Sequence, residues 1–568
     1  MPLFLLVLLC ATMLSSCATT DGAVTSEAVS APAVHDNRAR ALYLYSRARL
    51  ATHDGDYPAA LNILRDALDL DPRSAFLHSA IAGIKLKIGQ VQEALEYNDK
   101  AISLDPTFRD PYVMAGAVMA SAGKDREAAE YLRKAVELDP DKDDAYLQLA
   151  ISLTRLFEYE EAVNTLKRLV TLKSDSALGY YYLGRTYSQM KLYRDAVGYF
   201  KKTLELRPDF SQAAIDMAAS FEALGDYPQA IEVYRGILDD NDNRADVLQR
   251  LIQLLIQQHR FQEALEYLNL ALESGLGGQE TMRKIGLIHL ELEQYDDAVK
   301  VFSEMLAKDP AAHPIRLYLG MAYEQKGDLD RAFAEFEKIP HGSPAFIEAI
   351  GHIAFILREK GKTDQAVELL RGAIAANPAQ IELYLNLAAL YEAAEKPEAG
   401  LAALLEAEKR FAGEPRYHFR LGVLYDKLGR KSESIEQMKK VITLSPKDAQ
   451  ALNFLGYTYA EMGINLDEAL QYVRQAVELH PNDGFILDSL GWVYYKLKKY
   501  DEAVRYLEEA MSLVDDDSTI AEHLGDAHLA RRDFRKALQA YKKALENEPG
   551  KKELLEKIRR IKVEHGER

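Results

Sequence analysis

From Ala41 onward, apolar residues fall into two helical stripes, and the pair of stripes returns every 34 residues. The segment Ala177–Phe210 shows the unit. Tyr180, Leu183, Gly184 and Tyr187 stand at i, i+3, i+4 and i+7, which is one face of a helix. Ala196, Phe200 and Thr203 repeat that spacing in a second helix, and Pro208 stops it, because its ring and missing N–H cannot continue the ladder. Helices of roughly a dozen residues cannot bury their apolar faces alone, so the units have to stack on one another.

Units begin at Ala41, Ala75, Arg109, Asp143, Ala177, Ser211, Ala245, Gln279, His313, Ile347, Ile381 and Pro415 without a slip in spacing. A thirteenth at Ala449 carries one extra residue around Ile464–Asn465, and two more start at Gly484 and Ser518. The eighth position, where two helices cross closely, is Gly or Ala in all but one unit, Ile252 being the exception. The twentieth is Ala in all but two, which have Gly400 and Ser434. Glycines such as Gly55, Gly123 and Gly429 mark the turn between the two helices, where a left-handed backbone is needed.

These positions and this period resemble the tetratricopeptide repeat family. The resemblance covers residues 41–551 and implies an all-α fold: a right-handed superhelical solenoid of about fifteen helix-turn-helix repeats. Residues 552–568 are expected to form a capping helix and tail, with Leu554, Leu555, Ile558 and Ile561 closing the last apolar face. The fourth, sixth and seventh units look weakest, since Ser174, Asp242 and Leu276 replace the terminal proline. A bend or loosening is expected over residues 239–280.

The first forty residues differ in kind. Leu3–Leu14 is almost wholly apolar but too short to span a bilayer, and it fits a secretory signal. It runs into Leu14-Ser15-Ser16-Cys17, which resembles a bacterial lipobox, although no Lys or Arg precedes the apolar stretch. The resemblance implies a signal peptide over residues 1–16 and a diacylglyceryl-modified Cys17. Residues 17–40, the lipidated cysteine and the small and polar residues after it, are expected to be a flexible tether. With Ala18 in place of Asp after the cysteine, the resemblance also implies the outer membrane and its periplasmic face. The other reading of Cys17 is a buried thiol at the end of a core helix.

Charge and composition then narrow the function. A net charge of −18 disfavours nucleic acid. One stretch runs the other way: Arg531–Arg568 has 13 Lys/Arg against 7 Asp/Glu, a net of +6, read as a solvated face or as contact with an anionic partner. The only two cysteines, Cys10 and Cys17, leave no thiol chemistry for the repeats. Gly361-Lys362-Thr363 lacks the earlier glycine of a phosphate loop, where Ile356 stands. His523 and His528 have no third metal ligand in sequence, and Asp515–Asp517 lacks the alternation of a calcium loop. No catalytic residue, metal site, cofactor or small-molecule substrate is expected.

In tetratricopeptide repeats, ligand-facing side chains tend to sit at positions 2, 5, 9, 12 and 13 of a unit. The resemblance therefore implies a protein-binding groove that includes Asn453, Tyr457, Phe485, Asp488, Trp492, Tyr495 and Lys496. Further candidates are Phe419 with Asp426 and Lys427, and Tyr181 with Arg185 and Gln189. Trp492, the only tryptophan, fits either a binding hot spot or packing between repeats. Neither a Lys/Asn carboxylate clamp nor an asparagine ladder is present, Asn386 being alone at the sixth position. The block Leu452–Ala510 is similar to lipoprotein adaptors that bring cell-wall hydrolases to a periplasmic carboxyl-terminal processing protease. The implied partners are that protease, murein hydrolases and, through the lipid, the membrane. The alternative is an assembly scaffold for polysaccharide export or a pilus or secretion machine.

Overall fold

The computed structural model describes residues 37–239 and 245–565. The signal segment, Cys17 and most of the expected tether lie outside the described residues. Those described form 32 α-helices and one short 3-10 turn at Asp143–Ala145, with no strand. Contacts divide the chain into two compact units, one ending at Gly278 and one starting at Gln279. The division falls where Leu276 stands in place of a terminal proline.

In the first unit, hairpins run from Asn37–His53 paired with Tyr57–Leu70 to Ala245–Gln257 paired with Phe261–Glu273. In the second they run from Gln279–Glu291 paired with Tyr295–Lys308 to Ser518–Ala530 paired with Phe534–Asn547. Most first helices start at the residue where the sequence unit starts. Side-chain oxygens of Ser74, Ser176, Asp448, Asp483 and Asp517 cap several of them by accepting from backbone N–H groups.

The periodic small residues explain the packing. Ala60, Ala128, Ala162 and Ala196 on the second helices are fully buried. At Gly184 an added Cβ would lie 2.6 Å from the Phe200 ring, and at Gly286 it would lie 2.4 Å from Phe302. Units carrying Phe200, Phe302, Phe336 or Tyr541 have glycine at the facing eighth position, so the ring takes the space a methyl would need. The inter-helix turns hold one residue in the left-handed region. Where glycine is missing, Phe157, Lys191, His259, Glu293, Glu395, Lys498 and Arg532 adopt that conformation. The extra residue of the thirteenth unit is absorbed by two left-handed positions, Gly463 and Asn465.

Two expectations are corrected, and two units depart from the common hairpin. Asn37–Arg40 belong to the first helix and not to the tether, because Arg38-Ala39-Arg40 are good helix formers that simply extend it. In the helix Lys552–His565, Leu554 and Ile561 are buried but Leu555 is 49% exposed, so the closing face is narrower than expected. The ninth unit's second helix stops early, at Glu337, and Pro340 and Pro344 lead the chain through a loop to Phe346. The eleventh unit's second helix, Pro397–Leu405, breaks before a short turn of helix at Glu408–Phe411, which puts Phe411 against Tyr384 and Tyr417. Neither of these two units stood among those read as weakest.

Candidate protein-binding surfaces

The first helices of the last repeats bring most of the expected C-terminal residues together. The helix Gly484–Lys496 is capped by Asp483 and buries Leu487, Leu490 and Val493. That fixes Asp488, Trp492 and Tyr495 toward the helix Ser518–Ala530. Trp492 is only 7% exposed. Its indole stacks on His523, with centroids 3.9 Å apart, and on Tyr495 at 4.7 Å. Its N–H donates to Glu461 across the repeat boundary. His523 is buried in turn, and its Nδ1 lies 2.9 Å from Asp488. Trp492 thus packs between repeats, and its polar atom is already used.

Around this stack lies a charged rim. Lys496 Nζ sits 4.7 Å from the centre of the Trp492 ring and 3.8 Å from Glu461. Tyr457 is half-buried, and burial together with Glu461, Asp488, Asp426 and Glu522 raises its phenol well above the ordinary value. Lys557, from the final helix, donates to Glu522 at 2.8 Å and to Asp526 at 2.7 Å, while Lys551 reaches Glu522 at 2.9 Å. Burial opposes ionisation of Glu522, but these two lysines outweigh it and hold its carboxyl below the usual range. Tyr541 donates to the same Asp526. Glu522, Asp526 and Lys557 do not stand out in the sequence. The net positive charge of the tail was the available signal, and part of it is spent on this network.

The other candidates are more scattered. Phe485 is 56% exposed at the start of its helix. Asn453 is half-buried with its Oδ1 sealed from solvent and unpartnered. Phe419 is half-buried, edge-on to Phe454. Asp426 accepts from Lys431 rather than from Lys427, which is exposed and 3.3 Å from Glu392. In the first unit, Tyr181 is buried and its hydroxyl donates to Asp216 at 3.0 Å, while its ring packs on Phe210. Burial, then Asp216, pushes its phenol up. Arg185 is exposed above Tyr181 and Tyr182, with Asp216 4.0 Å away, and Gln189 is exposed. Of this trio, only Arg185 and Gln189 present their side chains to solvent.

A surface the sequence reading did not single out lies at the ninth to eleventh repeats. Because the helix Leu329–Glu337 stops early, a cavity of about 960 Å³ opens beside the loop at His341–Pro344. Glu324, His352, Phe355, Glu382 and Asn386 help to line it. His352 stacks on Phe336, and its Nδ1 is 2.7 Å from Glu324. Phe355 is 40% exposed under the Arg358 guanidinium. Pro340, inside the stretch where other second helices continue, was the signal for it. Its wall joins the Phe355 ring and the Ile347 side chain to several polar groups.

Known proteins agree with the repeat pattern. Family models described as tetratricopeptide repeat match residues 45–107, 181–246, 283–345 and 489–552, and a second such model matches 119–185, 221–277 and 357–421. Others match 448–516 and 415–448. A curated relative, Protein CTR9 homolog of Arabidopsis thaliana, is 25% identical over 255 residues, 42% of this chain. The match spans only 23% of that protein's length. Among solved structures, yeast Tom70 is similar at 16% identity over 74% of this chain and 95% of its own, with a TM-score of 0.36. The APC/C hetero-tetramer Cut9-Hcn1 is similar at 16% identity over 84% and 95%, with a TM-score of 0.37.

Proposed function

The chain belongs to the tetratricopeptide repeat family, and from that premise we propose that it is a non-enzymatic scaffold, anchored through a lipid on Cys17 to the periplasmic face of the outer membrane. The observation that carries the scaffold reading is that stacked hairpins make up nearly all of the described chain. Their first helices carry what a protein partner needs: the exposed Phe485 and Lys427, the half-buried Tyr457, Tyr495 and Lys496, and the opening beside Phe355. Large aromatic and charged side chains of this kind concentrate binding energy. The anchor reading is supported by the apolar stretch that ends at Leu14-Ser15-Ser16-Cys17.

The clients we favour are a periplasmic carboxyl-terminal processing protease and the murein hydrolases it cleaves, on the likeness of Leu452–Ala510 to adaptors of that kind. Holding two proteins on one tethered scaffold raises their effective concentration without new chemistry. Two experiments separate the parts. Mass spectrometry of the N-terminal peptide is expected to find an acylated Cys17, and an unmodified Met1-bearing peptide would remove the anchor. Affinity purification from cross-linked envelopes is expected to recover the protease together with a hydrolase. Recovery of polysaccharide-export or secretin components instead would replace this choice of client while keeping the scaffold.

A further inference from the structure

The helix Asn37–His53 departs from the rest of the molecule in composition. Its 17 residues hold Arg38, Arg40, Arg47 and Arg49 and no Asp or Glu, in a chain whose net charge is −18. The helix packs on its neighbours through Ala41 and Ala48, which are 2% and 1% exposed, and through the half-buried Leu44, Tyr45 and Ala51. Turning each residue by about 100° places Ala39, Tyr43, Ser46 and Leu50 on the opposite side, with Leu42 at the edge. The two leucines stand out to solvent, at 54% and 67% exposure. The same rotation puts Arg38 and Arg49 along one border of this stripe and Arg40 and Arg47 along the other. Arg40, Arg47 and Arg49 form no ion pair with any acid among the described residues. The helix thus turns Ala41, Leu44, Tyr45, Ala48 and Ala51 to the core, and on its other side, where Ala39 and Tyr43 are half-buried, it leaves Leu42 and Leu50 exposed between cations.

We propose that this second face docks on an anionic lipid surface, laying the first helix along the membrane to which the chain is tethered. Leucines that enter the headgroup boundary while flanking arginines meet lipid phosphates are how interfacial helices bind. A second copy of the chain is a poor occupant, since pairing this face with itself sets arginine borders against each other. The location follows as well. About twenty residues separate Cys17 from Asn37 and can reach no further than about 70 Å even at full extension, so an anchored protein keeps this helix near the bilayer. The proposal takes its membrane address from the anchoring reading, but the preference of the helix for anionic lipid does not depend on acylation and is measured without it.

The test uses the full-length chain with Cys17→Ser, which carries no acyl group. Its partition is measured between vesicles of pure phosphatidylcholine and vesicles with one third phosphatidylglycerol. Residues 3–14 are the same in every variant compared, so the change in the ratio between variants reads the arginines. The ratio is expected to favour phosphatidylglycerol and to fall about fivefold per arginine replaced in Arg40→Gln and Arg47→Gln, with loss of the preference at high salt. Leu42→Ser with Leu50→Ser is expected to weaken binding several-fold with circular dichroism and melting unchanged. Equal binding to both vesicles overturns the proposal, as does a ratio that Arg40→Gln/Arg47→Gln leaves unchanged. Concentration-dependent dimerisation abolished by the leucine variant, without vesicle preference, assigns the face to a second copy instead.

Discussion

The most informative single positions are those where a side chain is either forbidden or held against its preference. Gly184 faces Phe200 at a distance that leaves no room for a methyl. Gly184→Ala is expected to cost about 1–3 kcal/mol by overpacking. Phe200→Leu in the same chain should recover much of that loss, as urea denaturation would report. Phe157 is the opposite case: a ring 75% exposed, in a left-handed turn where several other repeats have glycine. Phe157→Gly is expected to stabilise the first unit by up to about 1 kcal/mol in the same measurement, since little contact is lost and the backbone strain is relieved. His528 is buried, and desolvation lowers its imidazole below the ordinary 6.5. The unfolded chain therefore binds more protons there, so stability is fully present above about pH 6.5 and declines as the pH falls below it. The urea midpoint of the second unit should drop between pH 7.5 and 5.5, and His528→Gln should make the drop shallower.

At the scale of helices, the final one is both a lid on the last apolar face and a partner in its charge network. Leu554 is fully buried, and Lys557 bridges Glu522 and Asp526. Leu554→Ala is expected to cost about 2–4 kcal/mol. The loss should appear in hydrogen exchange as faster exchange confined to the last two repeats, because each repeat leans only on its neighbours. The hairpins themselves were legible in the sequence because one packing rule recurs: small residues where helices cross, proline or a cap where they end. The two irregular second helices were harder to read. The ninth departs through Pro340, a signal overshadowed by the expected Pro344. The eleventh departs through a break after Leu405 that no proline marks. The groove was read only in part for a related reason. Position within a repeat says which side of a helix a residue takes, and it placed Trp492 and Tyr181 correctly on first helices. It does not say whether the next repeat will cover them, and His523 and Asp216 do.

For the whole molecule, repetition explains why so long a chain needs no single large core, and why its surfaces differ locally while its architecture does not. Two compact units meet in sequence at Gly278 and Gln279. The Gly184→Ala loss should therefore stay within the first unit in hydrogen exchange and leave the second protected. The central claim is that the faces made by first helices exist to hold other proteins. Site-specific photocross-linking in intact cells tests it most directly, with the photoreactive residue at Phe485, Lys427 or Phe355 on first helices and at Lys202 or Lys542 on second helices. Discrete protein adducts are expected from the first-helix positions and few from Lys202 and Lys542. Adducts only from the second-helix positions, or none from any position, would contradict it.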